Sequence, residues 1–343
     1  MPAPIVPQPT TFHLPDLLEL STRMPVGMNP HYAAAAAESR AWVSSHGITN
    51  ARKLAAVFAK GDFERLTARC FPYADKAKLR TLCDFCNLLF VIDEATDGQD
   101  GAGARRTADI CLAALRDPSW DDGSALARIM QEFGARLRPD IGPNALRRFD
   151  RTFSSYLECV VEEAEHRERG EILDLAAYER LRRENSGCGP YYALIEYALG
   201  IDLPDDVYED CHFDEFYWAS VDMACYANDI YSYAAEYAQG LDDCNVVTVL
   251  MRTKGLSLQA ASDYIGAHYK RLMDRYYTAK DALWSSSFGD LRVDASVRAY
   301  ADAMDYWPLG NLLWSFETKR YFGDRNEDVR ASLVVALKHP RTK

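Results

Sequence analysis

In the run Asn228-Asp-Ile-Tyr-Ser-Tyr-Ala-Ala-Glu236, an amide, a hydroxyl and a carboxylate stand at i, i+4 and i+8. On a helix these three oxygen donors, Asn228, Ser232 and Glu236, project from one face, one turn apart. Oxygen donors of this kind suit Mg²⁺, which completes its octahedron with water and substrate phosphate rather than with a full protein cage. The matching substrate is therefore a phosphorylated one. Three polar residues at this spacing would equally describe the wet face of a surface helix. The neighbours argue for a site: from Phe213 to Tyr237 the other faces carry Trp, Tyr, Phe, Met, Ala and Val, the composition of a helix buried among others.

A second acidic cluster closes the apolar run Asn87-Leu-Leu-Phe-Val-Ile-Asp93-Glu94-Ala-Thr-Asp97. Asp93 and Asp97 share a helical face near a C-terminus, where like charges one turn apart and the helix dipole both disfavour anions. A divalent cation would relieve both penalties. A DExxD string alone is weak evidence, and its weight comes from the pairing with the first motif.

With these motifs in this order the chain resembles the class I terpene cyclases, and in particular the fungal sesquiterpene synthases, over nearly its whole length. DEATD at Asp93 to Asp97 is similar to the family's aspartate-rich motif, and Asn228, Ser232 and Glu236 match the ligands of its second metal motif. Arg182, 46 residues before Asn228, stands where the family carries its diphosphate-sensing arginine, with Asn185 and Ser186 at the linker and effector positions of that sensor. Arg320-Tyr321 matches the terminal Arg-Tyr pair that hydrogen-bonds diphosphate, and Phe90 and Trp314 match cavity aromatics. Two departures stand out. Ala235 replaces a basic residue common before the final Glu, and Glu94 replaces a second Asp, a variant found among fungal members. Asp93 is the first choice for metal contact in that motif, with the share of Glu94 and Asp97 open.

The resemblance implies an enzyme with three Mg²⁺ ions in its closed state, a prenyl diphosphate held at the mouth of an apolar cavity, and departure of diphosphate to leave an allyl cation that the cavity folds and cyclises. Farnesyl diphosphate is the expected substrate. Tyr233 to Val249 resembles enzymes that close C1 to C11 through a humulyl cation, protoilludene producers included; closure between C1 and C10 toward germacrane or cadinane skeletons is the alternative. Two rivals stand beside this reading, the second from another class. A chain-elongating prenyl synthase normally carries a second DDxxD, where this chain has only Leu241-Asp-Asp-Cys-Asn245. An inactive isoprenoid-binding protein would have no use for every metal position.

Positioning these residues requires an all-α fold: helical periodicity is expected near 31–46, 50–59, 75–97, 105–115, 123–136, 143–167, 175–184, 189–199, 213–239, 256–286 and 293–318, with short loops at 98–105, 117–123, 139–143 and 285–294. Seven of the 15 prolines fall in residues 1–30, which predicts an irregular strap that orders over the site. Residues 31–343 show no linker or repeat and read as one domain. Arg183-Glu-Asn-Ser-Gly-Cys-Gly-Pro190 predicts a helix break, which in the family aims a carbonyl into the cavity.

With 39 Lys and Arg against 51 Asp and Glu, the net charge is −12, which excludes a nucleic-acid footprint and disfavours an anionic membrane surface. An acidic protein holding a diphosphate needs cations between the two, and Arg182 and Arg320 would complete the neutralisation. No signal peptide or membrane span is read, and nine cysteines fit free thiols in a cytoplasmic enzyme, a monomer or homodimer. Cys83 and Cys86 form a lone CxxC without zinc partners and read, like the other cysteines, as helix core. Most of the 20 Tyr, 14 Phe and 6 Trp belong to the core as well. Besides Phe90 and Trp314, the residues Tyr217, Trp218 and Tyr231 are further candidates for a carbocation-lining ring.

Overall fold

The computed structural model describes residues 10–48 and 51–338. The chain enters as a strand, β1 (Thr11–His13), and a helical turn, α1 (Leu17–Leu20), before α2 (Tyr32–Ser45), α3 (Ala51–Gly61) and α4 (Phe63–Cys70). There follow α5 (Lys76–Thr96), α6 (Gly101–Arg116), α7 (Ala125–Leu137), α8 (Pro143–Arg169), α9 (Leu175–Asn185) and α10 (Cys188–Leu199). The turn α11 (Asp205–Glu209) leads into α12 (Cys211–Gln239). After it, α13 (Val246–Lys254), α14 (Leu258–Ser285), α15 (Leu291–Met304), α16 (Tyr306–Glu317) and α17 (Asn326–Ser332) bring the chain to β2 (Val334–Ala336).

The fold is all-α, and its helices begin where the sequence supplies caps. Asp75, Asp100, Ser124, Asp174 and Ser257 each accept a backbone N–H from the first turn of the helix they precede. Each such cap contributes about 1 kcal/mol. Gly170, Gly200 and Gly240 end α8, α10 and α12 in the left-handed conformation, which costs glycine nothing.

The structure corrects several expected boundaries. Residues 1–30 are not wholly irregular: β1 pairs antiparallel with β2, Phe12 opposite Val335, while residues 1–9 lie outside the described residues. None of the described residues of this strap lines the cavity, and the strap's Ser21 hydroxyl meets the Tyr269 hydroxyl at 2.9 Å. Asp100 starts α6 at Gly101, shortening the expected 98–105 loop. The single helix expected over 293–318 is two. Pro308 cannot continue a helix because its ring would meet the carbonyl of residue 304, but it is tolerated in a first turn. Asp305 sits at the junction, accepting from Tyr276 Oη at 2.8 Å and from Lys280 Nζ at 2.5 Å. The helices α1, α4, α11, α13 and α17 fell outside the expected set.

Buried apolar residues form one continuous cluster running from Phe12 to Leu337. Within it α12 packs along α14 and also against α9, α10, α13 and α16, while α8 packs against α6, α9 and α10, and α5 against α2, α4 and α10. This arrangement leaves α5, α8, α9, α12 and α16 facing a common space. All nine cysteines are free, but they are not all core: Cys211 is exposed and Cys244 half-buried. No helix among the described residues is long and apolar enough to cross a membrane.

Candidate active site

The common space is a cavity of about 380 Å³. Phe90 and Asp93 reach it from α5, Asp97 from just past its end, Arg182 and Asn185 from α9, Ser186 from the break, Asn228, Ser232 and Glu236 from α12, Trp314 from α16, and Arg320 and Tyr321 from the segment after it. All twelve residues singled out by spacing and resemblance therefore face one cavity. The other three aromatics do not: Tyr217 and Trp218 border a separate depression, and Tyr231 is core, edge-on to Phe316 and Phe322.

The helix break forms as expected. Asn185 ends α9, Ser186 caps it by donating to Arg183 O at 2.9 Å, and Gly187 turns the chain at φ 74°, a left-handed value that a side chain resists. Ser186, Gly187 and Cys188 all line the cavity.

Arg182 organises the α9 side. Its Nη2 donates to Asn228 Oδ1 at 2.8 Å, its Nε to Asp229 Oδ1 at 2.9 Å and its Nη1 to Asn185 Oδ1 at 3.2 Å. Burial alone would lower this guanidinium, but the Asp229 carboxylate outweighs it and lifts Arg182 well above its ordinary value, so it stays charged. Asp229 is held in turn by the Tyr178 hydroxyl and by Val246 N at 2.8 Å. Asn228 completes the line by donating its Nδ2 to Tyr321 Oη at 2.7 Å.

On the same face of α12, Ser232 is buried and Glu236 accepts from Asn245 Nδ2 at 2.9 Å. Burial, followed by repulsion from Asp229, pushes the Glu236 carboxyl up to about 7, against the pull of Ser232 and Asn245. Across the cavity, Asp93 is surrounded by protein yet keeps 46% of its side chain open to the cavity's own solvent. Burial and repulsion from Asp97 push its carboxyl upward, while Arg320 pulls the other way. These acids raise each other's cost of ionisation, and a cation between them would lower it. Amide, hydroxyl and carboxylate oxygens, with no thiolate or imidazole among the predicted ligands, fit a hard divalent ion.

Arg320 reaches toward Asp93 at 4.0 Å and rests its guanidinium over Phe90, 4.7 Å from the ring centre, and over Phe63 at 5.2 Å. Phe63 stacks on Phe90 at 3.5 Å. Trp314 lies edge-on to Tyr321 at 5.7 Å and fixes its indole by donating to Gly61 O at 2.7 Å. The wall thus offers aromatic faces beside the Arg320 guanidinium and the Tyr321 hydroxyl.

Several participants escaped the sequence reading. Arg167 of α8 donates to Thr96 O at 3.0 Å and Gln99 O at 3.4 Å and approaches Asp97 at 3.9 Å, tying down the end of α5. Glu163 accepts from Asn185 Nδ2 at 2.6 Å. Asn245, fully buried, also donates to Asp229 O at 2.9 Å. Asp229, next to Asn228, carried a positional signal, whereas Arg167, Glu163 and Asn245 come from a loop or from a helix whose facing depends on the tertiary fold. Trp307 and Asn311 precede Trp314 by seven and three residues, a helical repeat that could have been noticed.

Known proteins point the same way. The family model described as terpene synthase family 2, C-terminal metal binding, matches residues 84–275. A protein from Coprinopsis cinerea named linoleate 10R-lipoxygenase COP4 is 49% identical over 97% of this chain and 94% of its own. The bifunctional terpene synthase Agr4 of Cyclocybe aegerita is 44% identical over 96% of this chain and 94% of its own. The crystal structure of germacradien-4-ol synthase from Streptomyces citricolor has the same fold, with a TM-score of 0.74 at 23% identity over 85% of this chain and 96% of that one. The lipoxygenase name stands apart from the family model. Iron-dependent oxygen chemistry draws on imidazole ligands or a haem pocket, and the only imidazole bordering this cavity among the described residues is His166.

Proposed function

The chain belongs to the terpene synthase family, lyases acting on diphosphate substrates, and from the site it builds we propose that it is a Mg²⁺-dependent sesquiterpene synthase that ionises and cyclises farnesyl diphosphate. The observation that carries this reading is the meeting, in one cavity, of the Asn228, Ser232 and Glu236 face, the Asp93 cluster and the cations Arg182 and Arg320. The names of relatives such as sesquiterpene synthase Agr5, 39% identical over 97% of this chain, support the fifteen-carbon class.

In this mechanism Asn228, Ser232 and Glu236 on one side and Asp93, with Asp97, on the other would hold the metal, three ions by analogy with the family. Bound Mg²⁺ supplies positive charge to the leaving diphosphate. Arg182, Arg320 and Tyr321 donate hydrogen bonds to diphosphate oxygens as negative charge builds there. Asn185 holds Arg182 in place, and Ser186 fixes the break beside it. The isoprenoid chain occupies the apolar space beneath, whose volume falls within the usual range of about 300–1,000 Å³ for small-molecule sites. Phe90 and Trp314 face the allyl cation with their rings. The closed wall folds the chain so that a distal double bond attacks C1, with closure to C11 as the first expectation. The released diphosphate is the base at hand for the final proton.

The proposal extends to a cytoplasmic setting, in keeping with nine free cysteines, and to a monomer or homodimer by analogy with the family. Incubation of the purified protein with farnesyl diphosphate, with and without Mg²⁺, followed by gas chromatography with mass detection, tests the reading. A cyclic sesquiterpene that forms only with metal is the expected result. Intact farnesyl diphosphate would contradict it, and geranyl and geranylgeranyl diphosphates would then separate another substrate from an inactive isoprenoid-binding protein.

A further inference from the structure

Little at the Arg320 side chain itself aims it: its Nε has no hydrogen-bond partner among the described residues, and the carboxylate it reaches, Asp93, is 4.0 Å away. A group that meets a leaving anion needs its position fixed to within about 0.5 Å, so the fixing has to come from the backbone that carries it. That backbone leaves α16 at Glu317, and one stretch of chain, residues 60–69, holds the exit. Lys60 O accepts from Lys319 N at 3.0 Å, and Gly61 O and Asp62 O accept from Trp314 Nε1 at 2.7 and 3.1 Å. These three consecutive carbonyls stand at a turn where Asp62 adopts φ 41°, a left-handed value that a side chain resists. The surroundings hold that strain in place: the Asp62 carboxylate accepts from Tyr32 Oη at 2.6 Å, Arg40 Nη2 at 2.5 Å and Arg65 Nε at 2.8 Å.

Glu317 completes the hold. Its carboxylate accepts from Arg69 Nη2 and, at 3.1 Å, from Arg69 Nε, with Arg65 Nη1 at 3.9 Å. Arg65 thus ties the Asp62 turn to the end of α16. The Glu317 and Arg69 side chains are 20% and 15% exposed, which shields the pair from most of the screening that weakens surface ion pairs. An anion in the last turn of a helix opposes the helix dipole, so Glu317 is not placed there for the sake of α16. Both of its cations come from α4, the helix whose Phe63 lies under the Arg320 guanidinium at 5.2 Å. None of Glu317, Arg65 and Arg69 lines the cavity, so none of them touches a bound substrate.

Resting on the cyclase reading above, we propose that Glu317 is a positioning residue for diphosphate departure: gripped by Arg69 and Arg65, it fixes the exit of α16 so that Arg320 and Tyr321 face the leaving group. With the pair intact, Lys319 stays on Lys60 and the two residues that follow are delivered to the cavity. Without the charge on Glu317, the end of α16 shifts against α4 and carries Arg320 with it.

The test is calorimetric titration of inorganic diphosphate in excess Mg²⁺, with steady-state turnover of farnesyl diphosphate, for the wild type, Glu317→Gln, Arg69→Met and Arg69→Lys. A variant that folds poorly lowers the titration's stoichiometry without moving its Kd, so folding and positioning separate. The Gln and Met variants should bind diphosphate about tenfold more weakly, less than the roughly 10²-fold that a 1 Å misplacement costs. Their kcat should fall by a similar factor with KM nearly unchanged, because the contact strengthens as charge builds on the leaving group. Arg69→Lys keeps the charge but loses the two-pronged bond, and should fall between them and the wild type. Wild-type Kd and kcat per folded molecule in Glu317→Gln and Arg69→Met, whatever their melting temperatures, overturn the role and leave the cyclase reading standing. Should those two not fold, wild-type values in Arg69→Lys overturn it equally. A wild type that neither binds diphosphate with Mg²⁺ nor turns over farnesyl diphosphate overturns the reading beneath it as well.

Discussion

Arg182 Nη2 donates to Asn228 Oδ1 at 2.8 Å, so the oxygen expected to bind metal is already held by the arginine expected to bind diphosphate. Metal and arginine compete for one lone-pair region, and a hydrogen bond from a charged donor is worth about 1.5–3 kcal/mol. A diphosphate that draws Arg182 away frees Asn228 for the cation. On the proposed assignment metal and anion binding would therefore be coupled, and by linkage the coupling would be reciprocal.

It follows that Mg²⁺ alone binds weakly and that inorganic diphosphate tightens it. Calorimetric titration of Mg²⁺ with and without inorganic diphosphate reads this directly, with a gain of roughly tenfold or more expected from the bond released. Equal affinity in both titrations would show that Arg182 does not guard Asn228.

Acidity supplies a second expectation. The Glu236 carboxyl is pushed up to about 7, and the Asp93 carboxyl is also raised. Between the ordinary carboxylate range and about 7 the folded, metal-free protein binds more protons than the unfolded chain, so its stability falls as pH rises through that window. Metal reverses the trend because it needs the ionised forms. Melting temperature measured from pH 5 to 8 should decline toward pH 8 without Mg²⁺, relative to a curve with Mg²⁺ and diphosphate, and the metal-dependent gain should grow with pH. A gain independent of pH would contradict the assignment of these carboxylates.

Asn245 is predicted to be a positioning residue. It reaches Glu236 Oε2 and Asp229 O, each at 2.9 Å, from full burial. Replacing a group that orients a metal ligand typically weakens metal affinity about 10–100-fold. Asn245→Leu should raise the Mg²⁺ concentration for half-maximal rate by that order, while saturating metal recovers part of kcat. A purely structural role would instead lower the yield of folded protein and leave the metal dependence alone.

A stability prediction concerns the frame rather than the site. Arg148 of α8 makes two bonds to Glu196 of α10, at 3.0 and 2.9 Å, with side chains 4% and 0% exposed. Glu196 also accepts from Leu203 N at 2.6 Å and Tyr208 Oη at 3.0 Å. Arg148→Met would leave a buried carboxylate without its cation, a change that costs about 3–5 kcal/mol. Denaturant unfolding checks it, and a loss below 1 kcal/mol would mean that Glu196 is satisfied without Arg148.

Much of the fold and site could be read in advance because the signals were local. Asn228, Ser232 and Glu236 announce themselves by helical spacing, and Gly187 and Pro190 by their punctuation of the chain. What stayed hidden depended on tertiary context. Phe63, which stacks on Phe90, lies in the short α4, too brief to show a period. Arg167 and Glu163 look like any charged residues on a long helix until α8 is seen beside α5 and α9. The split at Asp305 was masked by apolar periodicity on both sides, although Pro308 marked it. Tyr217, Trp218 and Tyr231 illustrate the reverse error: aromatic residues on the ligand-bearing helix that turn to other faces.

The central claim is that oxygen donors on one face of α12 hold the metal on which diphosphate departure depends. The most direct measurement is the rate of diphosphate release from farnesyl diphosphate as a function of Mg²⁺ for the wild type, Asn228→Ala and Glu236→Ala, with circular dichroism to establish that each variant is folded. The account predicts metal-saturable release in the wild type and a fall of at least about 10²-fold in each folded variant, the order associated with losing one preorganised stabiliser of the leaving charge. Release at the wild-type rate in either variant, or release that needs no metal, would contradict it.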